Sequence, residues 1–218
     1  ALIRAILRKA VYDWEWLDKA PKVRMFKEAQ RRIRWLTYGE AERLLKCLPE
    51  YMAEMARFAL YTGLRRGNVI GLEWSQVDMQ RKVAWIHPDQ AKARKAIAVP
   101  LNEEAVNVIR RQIGKHNSRV FTFQGKPVKS INNKTWKNAL RKAGIENFRF
   151  HDLRHTFASW HVQAGTPIYE LQELGGWQSA EMVRRYAHLA PENLARAAAR
   201  IMPVDTKMAT VKNEKGTA

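Results

Sequence analysis

A single cysteine, Cys47, in 218 residues excludes an internal disulfide and any metal cluster built on several thiolates, and it suits a reducing compartment. Long apolar runs are missing as well. Nothing approaches the roughly 18 consecutive apolar residues that a membrane-spanning helix needs, and the opening Ala-Leu-Ile-Arg-Ala-Ile-Leu-Arg-Lys is too charged and periodic for a signal peptide. No membrane partner and a cytoplasmic location are therefore expected. The chain lacks an initiating Met, and we read it as a piece of a longer protein. Acidic residues are scarce: 21 Asp and Glu against 39 Lys and Arg leave a formal charge of +18, with an isoelectric point near 10.3. The surplus is spread along the whole length, as in a folded domain that faces a polyanion. A membrane surface would call for a basic amphipathic helix or a polybasic cluster with a lipid signal, and neither stands out. Nucleic acid is the favoured partner.

What is present suffices for one substantial domain with an appendage, since 46% of residues are hydrophobic. Residues 2–17 have helical spacing (Leu2, Ile6, Leu7, Ala10, Val11, Trp14) and stop at Ala20-Pro21. Residues 22–34 form a basic connector containing Arg31, Arg32 and Arg34, placed to lie on phosphate. Thr37 and Glu40 make a capping box ahead of a helix with Ala41, Leu44, Leu45 and Leu48 on one stripe. A second helix over 52–61 ends at Thr62-Gly63, where glycine suits a left-handed cap. From Val77 the period changes. Residues 83–86 and 96–100 read as two strands of a hairpin whose basic tip carries Lys92. Helices follow over 102–113 and 133–143, with one short strand, 120–123, between them. The second of these is basic, with Lys134 and Lys137, and suits a place near nucleic acid. Pro167 is placed at the first position of a short helix buried by Ile168, Leu171 and Leu174, and Gly175-Gly176 stops it. Residues 179–189 read as a helix with Tyr186 on the face of Met182 and Val183, the plain expectation for a core tyrosine. A last helix spans 192–201, and 203–218 is a polar, disordered tail.

The stretch His151-Asp152-Leu153-Arg154-His155-Thr156-Phe157-Ala158-Ser159-Trp160 organises the rest. At about 100° per residue it sets Leu153, Phe157, Trp160 and Ala164 on an apolar face, and His151, Arg154 and His155 on the opposite one. A histidine and an arginine at i, i+3 can hold a proton and a phosphate oxygen together. Taken singly, such a face is more often an ordinary solvated surface. Arg65, after Thr62-Gly63-Leu64, is held by backbone geometry on both sides and suits an anion clamp. Lys92 at a hairpin tip can reach a site built elsewhere and act as a general acid. Arg149, between Phe148 and Phe150, leads into the central helix.

The order of these pieces is more specific than any one of them. An arginine after Thr-Gly-Leu, a lysine at a hairpin tip, His-x-x-Arg-His, Gly-Gly-Trp, and Arg-Arg-Tyr with its Tyr nine residues beyond that Trp resemble, over residues 31–200, the catalytic domain of the tyrosine recombinases, the phage-integrase family. The resemblance implies a mainly α fold with a small antiparallel β-sheet, the DNA breaking-rejoining catalytic core. It implies a catalytic set of Arg65, Lys92, His151, Arg154, Trp177 and Tyr186, with Tyr186 the nucleophile. Two departures stand out: Trp177 occupies the position of a second histidine, as in Cre-like members, and Asn68 that of a frequent glutamate. Breaking a phosphodiester through a phosphotyrosine needs donors on the non-bridging oxygens, an acceptor for the phenol proton and a donor for the leaving 5′-hydroxyl. Arg65 and Arg154 would clamp the phosphate. Trp177, with one N–H and no titrating group, could stabilise charge but not move a proton. His151 is then expected to face Tyr186 as base and Lys92 to be the acid, with His155 left a structural role.

The same resemblance implies double-stranded recombination sites as substrate and a homotetramer exchanging strands through a Holliday junction. It implies no metal and no cofactor, and it leaves room for host DNA-bending or excision accessory proteins. Residues 1–20 would be the last helix of an N-terminal core-binding domain, 21–35 a basic linker, 36–202 the catalytic domain, and 203–218 a tail that is disordered or packs on a neighbouring protomer. Arg31, Arg32, Arg34, Arg66, Lys134, Lys137 and Arg149 are the expected DNA contacts. Integration of a phage or prophage genome is the leading expectation. A Xer-like resolvase of chromosome dimers, a type IB topoisomerase and an inactive DNA-binding module are the alternatives.

Overall fold

A computed structural model describes residues 2–24, 33–90, 96–190, 195, 198 and 199. Arg31, Arg32, Lys92, most of the helix expected over 192–201 and the tail 203–218 lie outside these residues. The chain divides into two compact units, Ala1–Ile33 and Arg34–Ala218. In the first, helix α1 (Leu2–Tyr12) is shorter than its sequence period suggested and presents Leu2, Ile3 and Ile6 to solvent.

In the second unit, α2 (Tyr38–Cys47) begins at the expected capping box: Thr37 Oγ1 accepts from the Glu40 amide at 3.2 Å, and Glu40 Oε2 accepts from the Thr37 amide at 2.8 Å. Helix α3 (Glu50–Thr62) buries Met52, Met55, Ala56, Phe58 and Ala59 and ends at Gly63, whose φ of +64° closes the helix in the left-handed region. A short helix α4 (Arg66–Ile70) follows at once. Strands β1 (Val77–Asp78), β2 (Val83–Ile86) and β3 (Ile97–Pro100) make an antiparallel sheet in that order, with Val83 opposite Pro100 and Ile86 opposite Ile97. Ala84, Ile86, Ile97 and Val99 point to the core while Trp85 faces solvent, so strand alternation sets the register. Helix α5 (Glu103–Arg110) leads to a second small hairpin, β4 (Thr122–Phe123) and β5 (Lys126–Pro127). The sequence reading had one strand there. Gln124 and Gly125 both take positive φ, 52° and 70°, the two-residue turn that lets the strand fold back on itself.

Helix α6 (Asn133–Lys142) is capped by Asn132 and buries Trp136, Ala139 and Leu140. Helix α7 (Asp152–Gln163) is the centre of the unit and departs from the two-faced expectation. Besides Leu153, Phe157 and Trp160, its polar residues Asp152, Arg154, Thr156 and Ser159 are buried. One side of α7 packs on α3. The other is covered by the chain's own later segment, α8 (Ile168–Gly175) and a 3-10 turn at Ala187–Leu189. Pro167 caps α8 from outside rather than standing at its first position, and Leu171 is its one fully buried apolar side chain. The helix expected over 179–189 is only one turn, α9 (Glu181–Arg184). Tyr186 therefore leaves the face it was to share with Met182, which stays 38% exposed while Tyr186 is 1% exposed.

The start of the unit is tied to α7 by three contacts. The Leu36 amide donates to Thr156 Oγ1 at 3.1 Å, Trp160 Nε1 donates to the Leu36 carbonyl at 2.8 Å, and Tyr38 stacks on Trp160 at 4.2 Å. Thr156 is fully buried, so Thr156→Val, which keeps the shape and removes the acceptor, should lower the urea unfolding free energy by about 1–3 kcal/mol. An unchanged midpoint would mean that the Leu36 amide finds another partner.

Candidate active site

Arg154 projects from α7 into the interior at 5% exposure. Its Nη1 donates to the Gly63 carbonyl at 2.6 Å. Its Nη2 is equally buried but has no hydrogen-bond partner among the described residues. Burial, and then the neighbouring charge of Arg65, pulls its pKa down to about 9. Arg65 precedes α4 in extended conformation, and its own pKa is lowered by burial. The turn after α3 thus supplies the Gly63 carbonyl that holds one arginine and, two residues on, the second arginine. Gly63 is needed for space as well as for φ, because a Cβ there would lie 2.4 Å from Phe157 Cδ1.

The Trp177 ring lies against the Arg154 guanidinium, whose Cζ is 3.9 Å from the ring centroid. This is cation–π geometry in a desolvated place. Trp177 is 7% exposed and reaches this position by folding back over the end of α8. A Cβ on Gly175 would fall 1.6 Å from Trp177 Cζ3. The first glycine of Gly-Gly-Trp is therefore the space the indole occupies.

Tyr186 meets the same indole edge-on, ring centroids 6.3 Å apart and planes at 61°. Its pKa is raised by burial, against the lowering pull of Arg185 and Arg154. The sequence reading put His151 against this tyrosine and gave His155 a structural role. The geometry reverses their places: His155 Nδ1 is 2.5 Å from Tyr186 Oη. His151 is one helical turn earlier, at the exposed start of α7, with its ring edge-on to His155 at 5.7 Å between centroids. Burial lowers the pKa of both histidines, to about 4 for His155. Five of the six residues expected to form the catalytic set thus gather around Arg154, with His155 added. Lys92 is outside the described residues.

Two buried groups that the sequence reading passed over support the site. Asp152, 3% exposed, accepts from the Arg149 amide at 2.8 Å and from Arg149 Nη2 at 2.9 Å, fixing the entry to α7. The i, i+3 spacing of Arg149 and Asp152 was the available signal. Gln76 Nε2 donates to Gln90 Oε1 at 2.7 Å, and Asn68 Nδ2 donates to the Gln90 carbonyl at 3.0 Å, so the end of the β2 arm is held by two buried amides. Of the expected DNA contacts, Arg66, Lys134 and Lys137 are exposed without an ion pair among the described residues, whereas Arg34 is paired with Glu40 and Arg149 with Asp152. No three His, Cys, Asp or Glu side chains among the described residues converge as metal ligands.

A family model described as the phage integrase family matches residues 34–193. The integrase of Salmonella phage P22 is 49% identical, the match covering 100% of this chain and 60% of that protein. The shufflon-specific DNA recombinase of Escherichia coli is 27% identical over 99% of this chain and 59% of its own length. The chain thus spans about three fifths of these relatives. Among solved structures, the catalytic domain of bacteriophage HP1 integrase superposes with a TM-score of 0.62 at 28% identity, covering 78% of this chain and 95% of that domain. The Tn1549 transposon integrase shares the fold with a TM-score of 0.73 at 20% identity, over 90% of this chain and 76% of that one.

The glycine contacts make a direct test. Gly175→Ala must push Trp177 away from Arg154 and should cost about 1–3 kcal/mol of unfolding free energy. Gly67→Ala, whose Cβ would meet nothing within 4 Å, should leave stability unchanged or raise it by up to about 1 kcal/mol. Equal effects in chemical denaturation would remove Gly175 from this role.

Proposed function

This chain belongs to the phage integrase family, the tyrosine recombinases, and from that premise we propose that it is the DNA-cleaving part of a phage or prophage integrase. In this reading it cuts and rejoins recombination-site DNA through a 3′-phosphotyrosine and a Holliday junction, as a homotetramer, without metal or nucleotide. The observation that carries the reading is the buried Arg154, beside Arg65 and close to Tyr186, with one guanidinium nitrogen unpartnered among the described residues. A cation kept out of water and lacking a carboxylate calls for an anion. A phosphate between the two arginines would supply it and would put a phosphorus atom near the phenol.

The roles follow from the chemistry. Tyr186 Oη attacks phosphorus as the bond to the 5′-oxygen breaks, and Arg65 and Arg154 hold the non-bridging oxygens as charge builds. Trp177 keeps Arg154 in place and offers its N–H. Lys92 protonates the leaving 5′-oxygen, and His151 serves the proton traffic on the nucleophile's side. The covalent bond stores the energy of the broken one, so rejoining needs no high-energy cofactor. Residues 36–202 are the catalytic domain in this reading, 1–20 the end of a preceding DNA-binding domain, 21–35 a linker on phosphate and 203–218 a tail for a neighbouring protomer. Arg66, Lys134 and Lys137 are free to meet the DNA backbone, along with Arg31 and Arg32. Arg34 and Arg149 would contact it through the face not used by Glu40 or Asp152.

A nicked duplex carrying the recombination site traps the intermediate. The protein should form a covalent DNA adduct that Tyr186→Phe abolishes, and an adduct persisting in that variant would defeat the assignment of nucleophile. Lys92→Ala should slow cleavage on an ordinary substrate and regain rate on one with a better 5′ leaving group. Equal impairment on both would remove Lys92 from the acid role. DNA affinity should also fall with salt at a log-log slope of about −0.9 per phosphate neutralised.

A further inference from the structure

We propose that His155 is the group that takes the phenol proton of Tyr186, with His151 as the outlet to solvent; this rests on the reading of Tyr186 as nucleophile. The argument starts from contact. Nδ1 of His155 is 2.5 Å from Tyr186 Oη, well inside hydrogen-bond range. The tyrosine is 1% exposed, so a protein group in contact with Oη is well placed to be the first acceptor of its proton. Among the described residues His155 is the group bonded to it. His151 does not touch the tyrosine, but its ring stands 5.7 Å from that of His155 and is open to solvent. The phenol, the inner imidazole and the outer imidazole thus form a row from the buried nucleophile to the surface.

The balance is simple. As the Oη–P bond forms and the P–O5′ bond breaks, the phenolic proton moves to Nδ1 of His155. The proton on Nε2 of His155 passes outward to His151 or to water, and the leaving 5′-oxygen takes its proton from the separate acid. A histidine can do this only if it starts neutral with its lone pair on Nδ1. Burial keeps His155 neutral; Asp152 opposes this, and the charges of Arg185 and Arg149 assist it. The arriving phosphate monoanion adds negative charge beside the imidazole and favours its protonated form. Arg154 and Arg185 favour the phenolate at the same moment. Proton transfer is thereby coupled to substrate arrival.

Two experiments test this. In the DNA-free protein, nitrogen chemical shifts of the imidazole should show His155 as the Nε2–H tautomer; an Nδ1–H tautomer would overturn the proposal. On nicked recombination-site DNA, His155→Asn keeps a polar group near the position of Nδ1 but cannot carry the proton away, and it should slow adduct formation about 10²–10⁴-fold. Replacing Tyr186 by a fluorinated tyrosine of lower phenol pKa should recover at least tenfold of that loss in His155→Asn, while changing the wild-type rate little. A rate in His155→Asn equal to wild type, or a loss that is the same for both phenols, would remove His155 from proton transfer. Tyr186→Phe run in parallel separates the two readings: an adduct in that variant defeats the nucleophile assignment, whatever His155 does.

Discussion

Everything in the described structure around the site depends on keeping the Arg154 guanidinium buried without a carboxylate. Such a group costs several kcal/mol unless its donors are satisfied and its charge is answered. Here the protein meets only part of that cost. The Gly63 carbonyl takes one donor and the Trp177 ring faces the cation, but Nη2 is left over. The arrangement forces close packing elsewhere. Gly63 must lack a side chain so that Phe157 can pack on it while its carbonyl turns to Arg154, and Gly175 must lack one so that Trp177 can fold back. Two glycines more than one hundred residues apart in sequence thus serve one guanidinium.

The titratable groups of the site are all pushed toward their neutral forms: the two arginines and the two histidines downward, the tyrosine upward. Burial is the leading cause in each case. In the proposed reading a phosphate would reverse the balance for the cations, since an anion in low dielectric stabilises both guanidinium groups and favours a protonated imidazole. The phenol alone gains nothing from an adjacent anion. On the proposed mechanism its proton would leave because the arginines favour the phenolate and the histidine beside it would become a better acceptor, which would give the short contact between His155 and Tyr186 its chemical sense.

Much of this was legible in the sequence. The fold class, the Thr37–Glu40 capping box, the glycine stop before Arg65 and the pairing of 83–86 with 97–100 were readable because each is a local or period-two signal whose physics acts within a few residues. The bringing together of Arg65, His151, Arg154, Trp177 and Tyr186 followed from the order of motifs. The misreadings share a cause. Helix α7 looked two-faced because a polar stripe is normally solvated, yet this one is roofed by α8 and by the turn that carries Tyr186, a long-range event that no helical period reports. The segment 179–189 has an unbroken helical pattern, but burying Tyr186 beside His155 and Trp177 outweighs its propensity and leaves a single turn. His151 and His155 are equivalent by spacing, and only the roof distinguishes them.

That distinction bears on the indole at position 177. A tryptophan there can brace Arg154 and donate one hydrogen bond, but it neither accepts nor releases a proton. A site with a histidine in that place would have a titrating group beside the nucleophile. In the proposed reading the proton chemistry on the nucleophile's side would come from the start of α7, where His155 touches the phenol and His151, just before the helix, is exposed to solvent. The same helix carries Arg154 between them in sequence. Arg154 and His155 are therefore placed together by the packing of α7 on α3, so a shift of α7 would displace both side chains at once. Two of the buried polar residues of α7 are bonded to other segments: Thr156 ties the helix to Leu36, and Asp152 ties its start to Arg149. If α7 holds a guanidinium and an imidazole in register with one phosphorus atom, as proposed, packing on several sides is what that task requires.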